Sequence, residues 1–271
     1  MLKKDNIFKF LIISSIILII WFPIIIIFIF SFQTNDSVVS SQWLNGNWSW
    51  TLQNYSKVIK GFGLSLGITL LIVLFEVVFS ISITIFAAFG LSRLKFKGRN
   101  FFFYSIVLLS LIPNVALITY QYKMTVTLGL DSNLMGNVIA IIIPSLFSFI
   151  TLIVLKSGFD KIDKNFEKLC TSINISTFKT FLLEAKYIKS EIIMSAILIT
   201  ISSWNSYVLP NLILAGSGHQ TLTMWILQVS IDPLDSVVHP EYQMAASILS
   251  TIPPVLFFVW QKNNIYKSIS K

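Results

Sequence analysis

The sequence predicts an all-α membrane protein of six transmembrane helices, with a cytoplasmic helix-turn-helix between helices four and five. Three observations predict this: a composition 55% hydrophobic and 12% charged, six apolar runs of spanning length, and cations gathered in alternate connections. Soluble domains carry about 25% charged residues. A soluble core with this much Leu, Ile and Phe would leave large apolar patches in water. Lipid removes the conflict, because a hydrocarbon core of about 30 Å is crossed by roughly 20 apolar residues at about 1.5 Å each.

The runs are Phe8–Phe32, Leu64–Leu91, Phe101–Tyr120, Leu134–Leu155, Ile188–Leu214 and Tyr242–Trp260. The first is too long for a secretory leader, lacks a small-residue cleavage site and contains Pro23, so it is expected to remain as a helix. The third is interrupted by Pro113 and Asn114. Membrane helices tolerate Pro where neighbours or water satisfy the freed carbonyl.

Charge sets the orientation. With the N-terminus inside, Lys3, Lys4 and Lys9, then Arg93, Lys95, Lys97 and Arg99, fall on the inner side. So do Lys156, Lys161, Lys164, Lys168, Lys179, Lys186 and Lys189, followed by Lys262, Lys267 and Lys271. Only Lys57, Lys60 and Lys123 fall outside. Both termini are therefore expected in the cytoplasm. The net charge of +8 is explained by this topology. Nucleic-acid binding would bring a basic patch on a soluble fold with interleaved aromatics, so no nucleic-acid partner is expected. The lone Cys170 cannot form an internal disulfide.

One transmembrane domain is expected over residues 1–271, with the cytoplasmic loop at 156–187. Outside lie Gln33–Gly63, Gln121–Asn133 and Ala215–Glu241. Trp43, Trp48 and Trp50 in the first suit a membrane–water interface. Gly216, Gly218, Pro233 and Pro240 give the last the character of a shaped loop. Gly98 eases the tight inner turn LSRLKFKGRN.

Catalytic signals are weak. Gly63, Ser65 and Gly67 match the G-x-S-x-G nucleophile pattern, and Asp160 or Asp232 with His219 or His239 would complete a Ser…Asp…His order. That pattern has meaning on a strand–turn–helix. Here it opens a spanning helix, where small residues favour close packing. No phosphate-binding Walker sequence is present, and the two His residues lack zinc spacing. No catalytic or metal site is expected. Glu76 stands mid-span in LLIVLFEVVFS. A carboxylate there costs about 2–3 kcal/mol or more, so it lines a transport path or is neutralised in helix packing.

The loop KSGFDKIDKNFEKLCTSINISTFKTFLLEAKYIK is charged and periodic. Asp160, Asp163 and Glu167 share a helix face beside Lys164 and Lys168. Phe159, Ile162, Phe166 and Leu169 form an apolar stripe. Thr171–Thr177 breaks the pattern, and Phe178, Phe181 and Leu182 resume it. Asn174 stands at the turn, where a left-handed residue is needed. The residues alone allow an interfacial amphipathic pair or a docking knob for a motor protein.

Several segments, in order, resemble the membrane subunits of binding-protein-dependent ABC importers of the carbohydrate-uptake branch. They are Trp50-Thr51-Leu52-Gln53-Asn54-Tyr55, similar to that family's T-x-x-N-Y entry, and Ala87 to Arg99, similar to its AAYALARLRFPGR turn. Ile112-Pro113, Leu128-Gly129-Leu130, Trp204 to Pro210, Met244 to Ser247 and Ile252-Pro253 follow. The loop departs from the family pattern of E-A-A, three residues, G and a later Pro. Asn174 takes the Gly position and Tyr187 the Pro position. Lys168, Leu169 and Cys170 replace E-A-A, and Glu167 lies one residue early.

The resemblance implies a non-enzymatic, multi-pass subunit of a bacterial cytoplasmic membrane. It implies as partners a second homologous permease subunit, two ABC ATPase subunits, an extracytoplasmic solute-binding protein and the lipid bilayer. ATP and magnesium would belong to the ATPase, with no cofactor on this chain. The solute would be a sugar, oligosaccharide or polyol. Phe166, Glu167, Asn174 and Phe178 are the candidate ATPase-docking residues. Glu76, Trp204, Asn205 and Tyr207 are the candidate translocation-path residues, with Asn205 equally suited to holding helices together. The alternatives are a stand-alone channel or secondary transporter using Glu76, and a non-transporting scaffold whose basic loop binds a partner or anionic lipid.

Overall fold

The computed structural model describes residues 4–231 and 237–269, so Lys3, Asp232, Pro233 and Lys271 lie outside the described residues. The helices are α1 Lys4–Phe30, α2 Asn35–Val39, α3 Gln53–Arg93, α4 Arg99–Ser110, α5 Asn114–Thr127, α6 Leu134–Ile142 and α7 Phe149–Lys161. They continue with α8 Lys164–Ser172, α9 Thr177–Tyr187, α10 Lys189–Trp204, α11 Val208–Leu214, α12 Leu222–Gln228 and α13 Pro240–Ile269. Among the described residues, extended pairing is limited to the isolated bridges Gln33–Trp50 and Ile231–Val238.

Three unbroken stretches are long and apolar enough to span: Lys9–Phe30, Gln53–Arg93 and Pro240–Val259. The other three apolar runs are bent pairs: α4 with α5 by 93°, the Leu134–Ser145 segment with α7 by 58°, and α10 with α11 by 56°. If each pair is one span, the described residues hold up to 6. Where the sequence suggested straight helices, the breaks have local causes. Pro113 and Pro144 lack the N–H that continues a helix. At the third break, the Asn205 amide donates to Ile201 O at 2.7 Å and closes the end of α10.

Several boundaries also differ from the sequence reading. α3 is 41 residues, about 62 Å at 1.5 Å per residue, and begins inside the expected 33–63 loop. α5 continues through Thr127, and α12 forms inside the expected 215–241 loop. Asp160, Asp163 and Glu167 do not share one helix. α7 ends at Lys161, Ile162 is extended, and the Asp163 carboxylate accepts the Asn165 N–H at 2.9 Å to start α8. Two backbone donors at a helix start need an acceptor, and Asp supplies one at the cost of continuing the previous helix.

Residues 67–223 and 258–271 form one compact unit, and 1–66 with 224–257 the other. In the first, Ile85, Ala88, Phe89, Leu91, Leu152, Leu155, Phe159, Phe181 and Ile188 make a buried core joining α3, α7 and α9. Gly158 lets α7 pass close to α10: a Cβ there would stand 2.9 Å from Glu191 Cγ and 3.0 Å from Ile188 Cγ2.

In the second unit, Asn54 donates to Ser31 O at 2.9 Å and Gln33 O at 2.8 Å, while the Tyr55 hydroxyl lies 2.7 Å from Ser31 Oγ. These bonds tie the start of α3 to the end of α1 and explain why Asn and Tyr are needed in that order. Trp43, Trp48 and Trp50 follow one another with ring centroids 6.3 and 6.2 Å apart, and Trp48 and Trp50 are exposed. Buried Glu241 accepts from Asn35 at 3.0 Å and faces His239 Nδ1 at 2.8 Å.

Gly63, Ser65 and Gly67 lie inside α3, so the strand–turn–helix of a nucleophile elbow is absent there. A Cβ on Gly63 or Gly67 would meet nothing within 4 Å. The close approach expected of these glycines occurs instead at Gly61, where a Cβ would stand 2.6 Å from Trp225 Nε1.

Candidate functional site

The α8–α9 hairpin is the first of two places, both in the 67–223 unit, where candidate residues gather. Its turn is a Schellman closure: Ile175 N–H donates to Cys170 O at 2.9 Å and Asn174 N–H to Thr171 O at 3.0 Å. Asn174 is left-handed, with φ of 58°, as its place in the sequence predicts. Ser176 then caps α9 by accepting the Lys179 N–H.

The hairpin is fastened to α3 and α7 by two kinds of bond. The Phe181 ring lies 4.8 Å from Phe86 and 5.3 Å from Phe89, and full burial of such a ring is worth about 1.5–3 kcal/mol. Arg93, at the end of α3, donates from Nε to Glu184 Oε2 at 2.9 Å and from Nη2 to Ile162 O at 3.1 Å. The two charged side chains are only 4% and 0% exposed. Burial pushes the Glu184 carboxyl up from its ordinary value, and the hydrogen bond and charge of Arg93 oppose that shift.

Of the candidate docking residues, Asn174 and Phe178 are exposed, and Phe166 and Glu167 are half-buried. The Phe166 ring meets Tyr187 at 5.6 Å, which closes α8 against the end of α9. Leu169, Ile173, Phe178 and Leu182 leave apolar surface uncovered on the hairpin. Sequence reasoning missed the Arg93–Glu184 pair; its members are 91 residues apart, and no local spacing links them.

The second place surrounds Glu76, which is 6% exposed. A cavity of about 50 Å³ is lined by Glu76 with Thr69, Ser145, Ser202, Ser203, Ser206 and Thr221. That volume holds a few waters, and the lining supplies their hydrogen-bond partners. The hydroxyls of Ser203 and Ser145 stand against the carboxyl, although Ser203 Oγ lacks a full hydrogen-bond geometry. Thr69 Oγ1 accepts from Leu222 N at 2.8 Å and fixes one wall.

A larger cavity, about 750 Å³, shares Glu76, Ser145, Ser202 and Ser206 and adds Asn114, Gln121 and Tyr207. Among the described residues, no Lys, Arg or His lines either cavity. The structure thus brings Glu76 and Tyr207 to one space. Trp204 and Asn205 line neither cavity: the Trp204 carbonyl accepts from Thr223 Oγ1 at 3.0 Å, and Asn205 closes its own helix. The serines were missed because Ser202, Ser203 and Ser206 carry no helical signal of their own. Their proximity to Glu76, some 130 residues earlier, is tertiary.

A polytopic helical protein with a polar space inside its membrane-spanning helices and an amphipathic hairpin fastened to one of them belongs structurally with ABC importer permeases. A bacterial ABC transporter crystal structure, described as importing the acidic polysaccharide alginate, matches at a TM-score of 0.70 and 20% identity, covering 96% of this chain and 97% of that one. The chain belongs to the family of binding-protein-dependent transport system inner membrane components, whose model matches residues 80–271. It is therefore a membrane permease subunit of a binding-protein-dependent importer. It is similar to the probable ABC transporter permease protein MG189 of Mycoplasma genitalium, at 25% identity over 94% of this chain and 84% of that protein. It is also similar to the trehalose/maltose transport system permease protein MalG of Thermococcus litoralis, at 26% identity over 91% and 89%.

Proposed function

We propose that this chain is one of two unlike permease subunits in an ATP-driven importer of a neutral, hydroxyl-rich solute of the sugar, oligosaccharide or polyol kind. The observation that carries the solute class is the larger cavity, which offers hydroxyls, amides, a tyrosine and the Glu76 carboxyl and, among the described residues, no cation. Ligand pockets run to about 300–1,000 Å³ with a few placed polar groups, so about 750 Å³ suits a small saccharide. The trehalose/maltose relative supports the same class.

The importer reading places six spans in the bacterial cytoplasmic membrane, both termini inside, with the α8–α9 hairpin in the cytoplasm as the coupling element. Of two ABC ATPase subunits, which hold ATP and magnesium, the one beneath this chain docks on Phe166, Glu167, Asn174 and Phe178 and the uncovered apolar surface around them. An extracytoplasmic binding protein delivers solute to the opposite side. Closure of the ATPases moves the hairpin, and the Arg93–Glu184 pair with the Phe181 cluster carries that motion into α3, the helix that bears Glu76. A ligand shifts such an equilibrium only through contacts that differ between the two states, so a rigid hairpin is a requirement.

The test is a mild-detergent pull-down of tagged chain from its native membrane, followed by uptake of labelled disaccharides into proteoliposomes. Recovery of an ABC ATPase and a second multi-span subunit, with saccharide uptake that needs ATP, is the expected result. Recovery of the chain alone as a stable homo-oligomer overturns the importer reading.

A further inference from the structure

The geometry points to a binding site for an anionic phospholipid in the cleft between the α3–α4 turn and helices α7 and α8. The cleft measures about 1460 Å³ and is lined by seven cations and two acids. Two cations are already committed, Arg93 to Glu184 and Lys156 to Asp160. Lys95, Lys97, Arg99, Lys164 and Lys168 have no ion pair among the described residues, and Glu167 is the remaining acid on the lining. Five cations converging on one cleft repel one another unless an anion sits among them.

Two further features narrow the ligand. α4 starts at Arg99 after left-handed Gly98, with no side chain capping its first amides. Asn100 and Phe101 belong to that uncapped first turn and line the cleft. Free N–H groups and the positive end of a helix dipole favour a phosphate oxygen. Phe96 and Phe101 also line the cleft, and Phe101 is 71% exposed. None of the residues of α4 is buried.

A ligand that satisfies both walls has an anionic phosphodiester head and an apolar tail. A free phosphate would use the cations and leave the phenyl rings in water. An acidic protein surface, which can use phenyl rings as well as cations, is the competing occupant, and the depth of the α3–α4 turn favours lipid over it. On the topology proposed above, on which this inference rests, α4 opens an apolar bent pair of spanning composition and its first turn lies at headgroup depth, where such lipids stand.

Purified chain in mild detergent would be examined by native mass spectrometry for retained lipid, and by thermal unfolding in nanodiscs of phosphatidylglycerol against phosphatidylcholine. Inorganic phosphate in detergent is the control probe. The test variants are the triple Lys95→Gln/Lys97→Gln/Arg99→Gln and, separately, Phe101→Ser; Lys95, Lys97 and Phe101 are exposed, which favours folding. The expected result is one retained phosphatidylglycerol, a higher Tm in that lipid, and a loss of affinity of roughly 100-fold in the triple variant, with a smaller loss in Phe101→Ser. Equal Tm in the two lipids, or equal retention by wild type and the folded triple variant, overturns the proposal. An equal Tm rise from inorganic phosphate would identify a free-anion site and also overturn it. Cleft occupancy by an acidic partner protein, with lipid absent from both chain and complex, would do the same.

Discussion

Two carboxylates are buried in the same compact unit, and they are compensated in opposite ways. Glu184 is held by a guanidinium at 2.9 Å inside an aromatic core. Among the described residues, the polar groups set against the Glu76 carboxyl are the Ser203 and Ser145 hydroxyls, and it borders two cavities. The first arrangement is a fastener: the charge is matched and the partners are packed, with Glu184 Oε1 left buried without a hydrogen bond among the described residues. The second is unfit for fastening, because hydroxyls offset the loss of water only in part and the cavities leave room for an exchangeable molecule. On the proposed function, the contrast corresponds to two tasks, transmitting force at one place and admitting solute at another.

The largest test of that contrast is Arg93→Met. It leaves Glu184 buried without its cation, and breaking such a pair typically costs about 3–5 kcal/mol. Unfolding in detergent should show a clear fall in Tm. Cys170, buried in α8 and the sole cysteine, should become reactive to maleimide as the hairpin loosens. Unchanged stability and an unreactive thiol would show that the aromatic cluster alone holds the hairpin.

A second substitution sharpens the same point. Arg93→Met with Glu184→Met replaces the pair by apolar groups, and such replacements are often nearly neutral. The double variant is expected to recover most of the stability lost by the single one, to within about 1–2 kcal/mol of wild type. Transport should recover less, if the pair carries motion as well as stability. Additive losses in the unfolding midpoints would mean that the two residues do not act as a unit.

Glu76→Gln is expected to behave in the opposite sense. Replacing the buried carboxyl by an amide should leave stability within about 1 kcal/mol of wild type or raise it, since an ionisable group is itself costly in the membrane interior. Uptake per complex should fall severalfold, because the group borders the solute-sized cavity. Full uptake with the amide would remove Glu76 from the path.

How far these places were legible depends on whether their causes are local. Apolar runs and the Ser/Thr/Asn break before α9 are properties of neighbouring residues, and they marked the apolar helices and the α8–α9 hairpin. The Asn174 turn was legible for the same reason, since it is set by two backbone bonds within six residues. The helix breaks at 111–113 and 143–148 were only half legible: Pro113 and Pro144 mark the places, but not bends of 93° and 58°. Which member of Trp204-Asn205-Ser206-Tyr207 faces the cavity could not be read, because α10 ends inside that segment and each residue of rotation turns a side chain by about 100°. The Arg93–Glu184 pair is tertiary, and so is the ring of serines around Glu76.

The smallest effect concerns that turn, and it bears on how rigid the fastened region must be. Gly129 and Asn174 occupy the same position in two Schellman closures, at φ of 65° and 58°. Asn tolerates the left-handed region better than other side-chain-bearing residues but less well than Gly. Asn174→Gly should therefore change Tm little, by the equivalent of a few tenths of a kcal/mol, and lower uptake, because the proposed docking contact loses its side chain. Asn174→Ala should cost about 1 kcal/mol, because its Cβ meets the steric penalty without a side-chain hydrogen bond to offset it. If Ala is as stable as Asn, the left-handed turn is not under strain in the folded hairpin. Full uptake in Asn174→Gly with Tm unchanged would confine Asn174 to shaping the turn and remove its side chain from partner contact, since the backbone geometry is preserved.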